Sequence, residues 1–193
     1  MRVSEANCHP FRNGRFLWMH NGTIAGFSSI KRRLRQSLPD EIYHAVEGTT
    51  DSEHAFAVFL DILGEKVENT SAGDIAGGLV KTIWKLEEWG RETGVSLPSI
   101  YNFAVTDGQN LAAVRYVSDP KIEPISLYFS KRGRYQCDNG RSEIVDCSED
   151  ERGIIIASER LTEQREDWTR VAPNHVVMID SQLDVKVHLM PDV

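Results

Sequence analysis

The sequence is short of several things, and each shortage excludes a class of protein. Its 193 residues hold three cysteines, Cys8, Cys137 and Cys147. An odd, sparse set is not the framework of a disulfide-stapled secreted fold. Cys137 and Cys147 share one polar stretch, so a hairpin disulfide between them stays an alternative. No CxxC or HExxH pattern occurs. No metal signature and no cofactor are therefore expected, although His9 and His20 as joint metal ligands remain an alternative to structural roles. No apolar run approaches the ~20 residues a membrane helix needs, and the first residues lack a basic-then-apolar signal pattern. Positive charge is in deficit: 22 Lys and Arg stand against 29 Asp and Glu, a net charge of −7. That balance argues against a nucleic-acid partner or an anionic membrane surface.

What is present fits one globular domain. A hydrophobic content of 40% in a chain of this length supplies a core for a single unit. Residues 26–38 predict a basic amphipathic helix, with Phe27, Ile30, Leu34 and Leu38 at helical spacing and Lys31, Arg32, Arg33 and Arg35 on a solvated face. A second helix opens at Thr50-Asp51-Ser52-Glu53. Thr49 or Thr50 can cap it, and the acids in its first turn suit the helix dipole. Residues 74–92 predict a third, with Ile75, Leu79, Ile83, Leu86 and Trp89 as its stripe. From Ser99 the pattern turns to strands: 100–106, a turn at Asp107-Gly108, then 111–117, 125–129, 153–158, 175–179 and 185–189. The charged stretch 131–151 reads as a loop or poorly ordered excursion. Helices first and strands after, without βαβ alternation, predict a layered α+β fold.

Two blocks carry chemistry. Asn7-Cys8-His9-Pro10-Phe11 is followed by Met19-His20-Asn21-Gly22-Thr23-Ile24. The apolar run 16–19 predicts a buried strand that delivers His20, Asn21 and Gly22 at its end. An Asn carboxamide beside a glycine N–H is a natural donor pair for a developing oxyanion. The plainer reading of Asn21-Gly22 is a type I′ turn. The plainer reading of Asp51 is a helix-start acid.

HPF, then HNG-x-I, resembles the class II glutamine amidotransferases. Gly48-Thr49-Thr50-Asp51-Ser52-Glu53 is similar to that family's second signature. Asn102 to Gly108, Ala157-Ser158-Glu159 and Trp168 are similar to later strands of its glutathione-degrading branch. The resemblance covers nearly the whole chain. It implies an N-terminal-nucleophile hydrolase fold, an αββα four-layer sandwich, and hydrolysis of the amide of a small γ-glutamyl or glutamine-like substrate. It implies Asn21 and Gly22 as the oxyanion hole and Asp51 as the ligand of the substrate's α-ammonium. His9 becomes scaffolding of the substrate site, and a partner subunit of a peptide-degrading complex is implied as well.

The family's nucleophile is a cysteine freed as the first residue, whose own α-amine acts as base. Here Met1 precedes Arg2, and the first cysteine is Cys8. The family's carboxylate-gripping arginine would fall before Met1, so Arg2 is not its counterpart. Residues 1–193 are thus expected to be a partial domain, incomplete at the N-terminus, with a sheet edge left unpaired. Two alternatives remain. One is a shortened, non-catalytic paralogue serving as a binding or regulatory subunit. The other is a thiol hydrolase using Cys8 beside His9, which the opposite outlook of neighbours on an extended segment disfavours.

Overall fold

Alternating burial along one strand organises the molecule. The structure, a computed structural model, describes residues 4–64 and 69–191. Strands β1 (Phe11–Asn13) and β2 (Phe16–Thr23) precede four helices, α1 (Phe27–Ser37), α2 (Asp40–Ala45), α3 (Asp51–Leu63) and α4 (Ala72–Glu92). Strands β3 (Ile100–Thr106) and β4 (Leu111–Val117) follow, then β5 (Tyr128–Ser130), β6 (Arg134–Asp138), β7 (Arg141–Val145), β8 (Ile156–Ala157), β9 (Trp168–Arg170), β10 (His175–Ile179) and β11 (Val185–Leu189). The main sheet runs β1-β2-β3-β4-β10-β11 and is antiparallel throughout. On β2, Phe16, Trp18 and His20 are buried while Leu17, Met19 and Asn21 are exposed, the period of two a strand imposes.

The buried face of this sheet packs on α3 and α4. Trp18 stacks on Phe56 of α3 at 5.5 Å between ring centroids and meets Phe103 of β3 at 4.4 Å. The opposite face of β4 and β10, with Ala113, Val177 and Ile179, packs on Leu127 and Val171. These flank a second sheet of order β8-β5-β9. The described residues therefore form three layers: helices, main sheet, second sheet.

Between the sheets lies Arg115, fully buried. An isolated buried charge would cost several kcal/mol, and here every arm of the guanidinium is engaged. It donates to the carbonyls of Ile125 (2.9 Å), Pro124 (2.7 Å) and Val171 (2.9 Å), and to Glu123 Oε1 (2.7 Å). That clamp explains why 125–129 is strand only from Tyr128. The preceding carbonyls serve side chains of the main sheet instead of a ladder.

One further expectation is corrected, and one alternative falls away. Residues 131–151 contain a regular hairpin, β6–β7, in which Asp138 pairs with Arg141 across Asn139 and Gly140. Both turn residues have positive φ, 49° and 80°, as a two-residue type I′ turn requires. The Asn-Gly signal was present and the surrounding charge obscured it. The hairpin disulfide is absent: Ser142 stands opposite Cys137, and all three cysteines are free.

Candidate active site

The site is built on β2, and the strand does not stop where the apolar run stops. It continues to Thr23, with Asn21 opposite Asn102 and Gly22 opposite Tyr101 of β3. Asn21-Gly22 is therefore strand rather than turn. On its other side, β1 reaches only as far as Phe11, opposite Trp18. From Met19 onward, among the described residues, β2 is paired on one side alone. Backbone groups of an antiparallel strand point alternately to its two edges, so this end keeps amides directed at its unpaired edge. A side chain at Gly22 would collide with the Ile100 carbonyl and come within 2.7 Å of His20 Nε2. Close approach, rather than backbone freedom, demands glycine there.

His20 fixes that geometry. Its Nε2 lies 3.3 Å from the Ile100 carbonyl and its Nδ1 2.9 Å from Ser52 Oγ. A carbonyl only accepts, so Nε2 holds the proton and Nδ1 accepts from the hydroxyl. Burial pushes the imidazole below its ordinary pKa; Asp51 and the Ile100 carbonyl oppose this, and His9 adds to it. With both nitrogens engaged and the ring held neutral, His20 is a brace rather than a free base.

Asp51 opens α3, whose cap is Thr50: its side-chain oxygen accepts from the Glu53 amide at 3.1 Å. Asp51 Oδ2 accepts from the Ile24 amide at 3.1 Å, and Oδ1 from the Ser52 amide at 2.9 Å. The carboxylate is thus tied to the strand that presents Asn21 and Gly22. Glu53 is buried and accepts from the Glu47 and Gly48 amides at 2.8 and 2.9 Å, shaping the turn before the helix. Asn7 Oδ1 accepts from the Thr49 amide at 2.8 Å, joining the first sequence block to the second.

His9 packs edge-on to Phe11, with centroids 4.8 Å apart. Partial burial lowers its pKa and the Asp51 carboxylate opposes the shift. His9, His20 and Asp51 therefore share one electrostatic field. Cys8 does not join them. Its thiol is exposed and lies 3.5 Å from the Ser4 carbonyl, and among the described residues no hydrogen bond links it to either histidine.

Asn21 has a partner that sequence reasoning missed. Its Nδ2 donates to Ser158 Oγ at 2.7 Å. Ser158, just beyond β8, belonged to a recognised block, yet nothing local pointed to a partner so distant in the chain. Ser52, the hydroxyl under His20, was likewise read only as part of a helix start. Among the described residues no group of three His, Cys, Asp or Glu side chains is placed to hold a metal ion. The arrangement offers a carboxamide and strand amides for a negative oxygen, and a carboxylate for a cation nearby.

Comparisons with known proteins identify the family. The family model described as "Glutamine amidotransferases class-II" matches residues 1–188. A Saccharomyces cerevisiae protein described as "Probable glutamine amidotransferase DUG3" is 36% identical over 192 residues, covering 93% of this chain and 54% of that protein. The chain thus spans about half the length of this curated relative. Among solved structures, a glutamine aminotransferase class-II domain protein from Silicibacter pomeroyi superposes with a TM-score of 0.71 at 29% identity, over 98% of this chain and 74% of that one. The glutamine phosphoribosylpyrophosphate amidotransferase of B. subtilis shares the fold, with a TM-score of 0.54 at 12% identity over 97% of this chain and 33% of that one.

Proposed function

The chain belongs to the class II glutamine amidotransferase family and has its N-terminal-nucleophile hydrolase fold, and from this we propose that it carries the oxyanion-binding and ammonium-binding part of a γ-glutamyl or glutamine amide hydrolase. The substrate class we favour is a γ-glutamyl compound met in glutathione breakdown, in the cytoplasm and beside a partner subunit. The observation that carries the reading is the Asp51–Ile24 hydrogen bond of 3.1 Å, which couples the ammonium ligand to the oxyanion strand.

In this reading a thiolate attacks the side-chain amide carbon. A C–S bond forms, the carbonyl electron pair moves to oxygen, and the resulting oxyanion is met by the Asn21 carboxamide and the Gly22 amide. Collapse expels the amine, which leaves with a proton, and water then hydrolyses the thioester. Asp51 holds the substrate's α-ammonium throughout by charge-assisted hydrogen bonds. One oxyanion donor is worth about 2.7–4 kcal/mol of barrier. In this reading Cys8, whose exposed thiol lies 3.5 Å from the Ser4 carbonyl, is not the attacking thiol.

Glutamate release from L-glutamine and γ-glutamyl amides by the full-length gene product tests this. Asn21→Ala is expected to lower kcat by about 10²–10³-fold, and Cys8→Ala to leave it unchanged. Full activity in Asn21→Ala, or loss of activity in Cys8→Ala, contradicts the assignment.

A further inference from the structure

An oxyanion donor works only if it is held before charge develops. The Asn21 carboxamide sits on the exposed face of β2, and the terminal torsion of an asparagine is broad and easily turned. Something outside β2 must fix it, and the structure supplies one contact: Asn21 Nδ2 to Ser158 Oγ, 2.7 Å. A carboxamide nitrogen carries two N–H groups. One donated to Ser158 leaves the other aimed by the same plane.

Ser158 is itself anchored. Ala157 before it pairs with Tyr128 of β5. The Ser126 hydroxyl donates to the Ser158 carbonyl at 2.8 Å. The Ser126 carbonyl accepts from Asn102 Nδ2 at 2.9 Å, and Asn102 stands opposite Asn21 on β3. Next in the row, Arg115 on β4 stands opposite Asn102 and holds the Ile125 carbonyl at 2.9 Å. The circuit therefore leaves the main sheet at Asn21, passes through the segments that flank β8 and β5, and returns one strand away.

We propose that Ser158 is a positioning residue, which fixes the plane of the Asn21 carboxamide so that its second N–H faces the oxyanion. The proposal rests on the function given above. It makes Ser158 act through Asn21 alone, with no contact to the substrate required.

The test is a double-mutant cycle in the full-length gene product, with kcat and KM measured on a γ-glutamyl amide. Ser158→Ala is expected to lower kcat roughly tenfold, less than loss of the donor itself, with KM within about twofold. Ser158→Thr keeps the hydroxyl and is expected to recover most of the rate. In the Asn21→Ala background, Ser158→Ala is expected to add nothing. The readout without turnover is the side-chain amide resonance pair of Asn21 in a ¹⁵N-labelled sample, expected to shift in Ser158→Ala and to return toward its position in Ser158→Thr. An Ser158→Ala enzyme with unchanged kcat, or a loss that persists undiminished on Asn21→Ala, overturns the proposal while leaving the oxyanion assignment standing. An unchanged kcat in Asn21→Ala overturns both. Superimposable thermal melts of the variants exclude misfolding as the cause.

Discussion

Asp51 Oδ2 and the Ile24 amide are 3.1 Å apart, and that bond joins a helix start to the residue that follows β2, two beyond Gly22. The helix dipole favours a carboxylate in the first turn, yet a capping role alone would not turn the group outward to another element. Ser52 repeats the link through His20. The proposed oxyanion and ammonium subsites are thereby held at one spacing.

Gly22 is the tightest point of this junction. Gly22→Ala places a methyl group against the Ile100 carbonyl and His20 Nε2, neither of which can withdraw without opening the β2–β3 pair. Overpacking of this kind costs about 1–3 kcal/mol. Urea denaturation of the variant is expected to show a midpoint lowered accordingly, and an unchanged midpoint would show that β2 can move there.

Acid should weaken the fold through His54. The ring is fully buried, with Nδ1 donating to the Thr50 carbonyl at 2.7 Å and its edge toward Phe27 of α1. Burial lowers its pKa from 6.5 to about 4; the Thr50 carbonyl and Asp51 oppose this, while Lys31 and Arg35 reinforce it. The unfolded chain thus binds a proton that the folded chain refuses. Stability is full above pH 6.5 and is lost as the pH falls toward 4, by at most about 1.4 kcal/mol per pH unit. Denaturation curves at stepped pH are expected to flatten in His54→Phe. An equal slope in both proteins would remove His54 as the source.

Residues 1–193 purified alone are expected to self-associate. Leu17 and Met19 on the outer face of β2 are 38% and 55% exposed, and Leu189 on the far edge strand is 68% exposed. Half-paired strand edges with apolar neighbours recruit other chains. Size-exclusion chromatography is expected to give oligomers that shift toward monomer in Leu17→Lys with Met19→Glu. A sharp monomer peak with a cooperative melt for the unaltered chain would contradict this.

Much of this was legible from the residues, for reasons that can be named. Strands β3 and β4 were bounded by their apolar runs and by the Asp107-Gly108 turn, and α3 by Thr50 with acids behind it. Helix α2 went unseen because Asp40–Ala45 is too short to show a stripe, and β1 because three residues show no period. The end of β2 was misjudged because Phe16-Leu17-Trp18-Met19 is apolar on both faces. The alternation emerges only when burial separates Trp18 and His20 from Met19 and Asn21. The partnership of Asn21 with Ser158 spans 137 positions and leaves no local pattern. It exists because the segments flanking β8 and β5 return over β2 and β3.

The most direct test is the contrast between Asn21→Ala and Asp51→Asn in steady-state kinetics of the full-length gene product on γ-glutamyl substrates. In the proposed function Asn21 meets charge that exists only in the transition state, so its loss is expected to fall on kcat with KM little changed. In the proposed function Asp51 holds the ammonium in ground and transition states alike, so its loss is expected to raise KM with kcat largely kept. Equal, mild effects on both parameters in both variants would reduce Asn21 to a strand residue and Asp51 to a helix start, and would contradict the site.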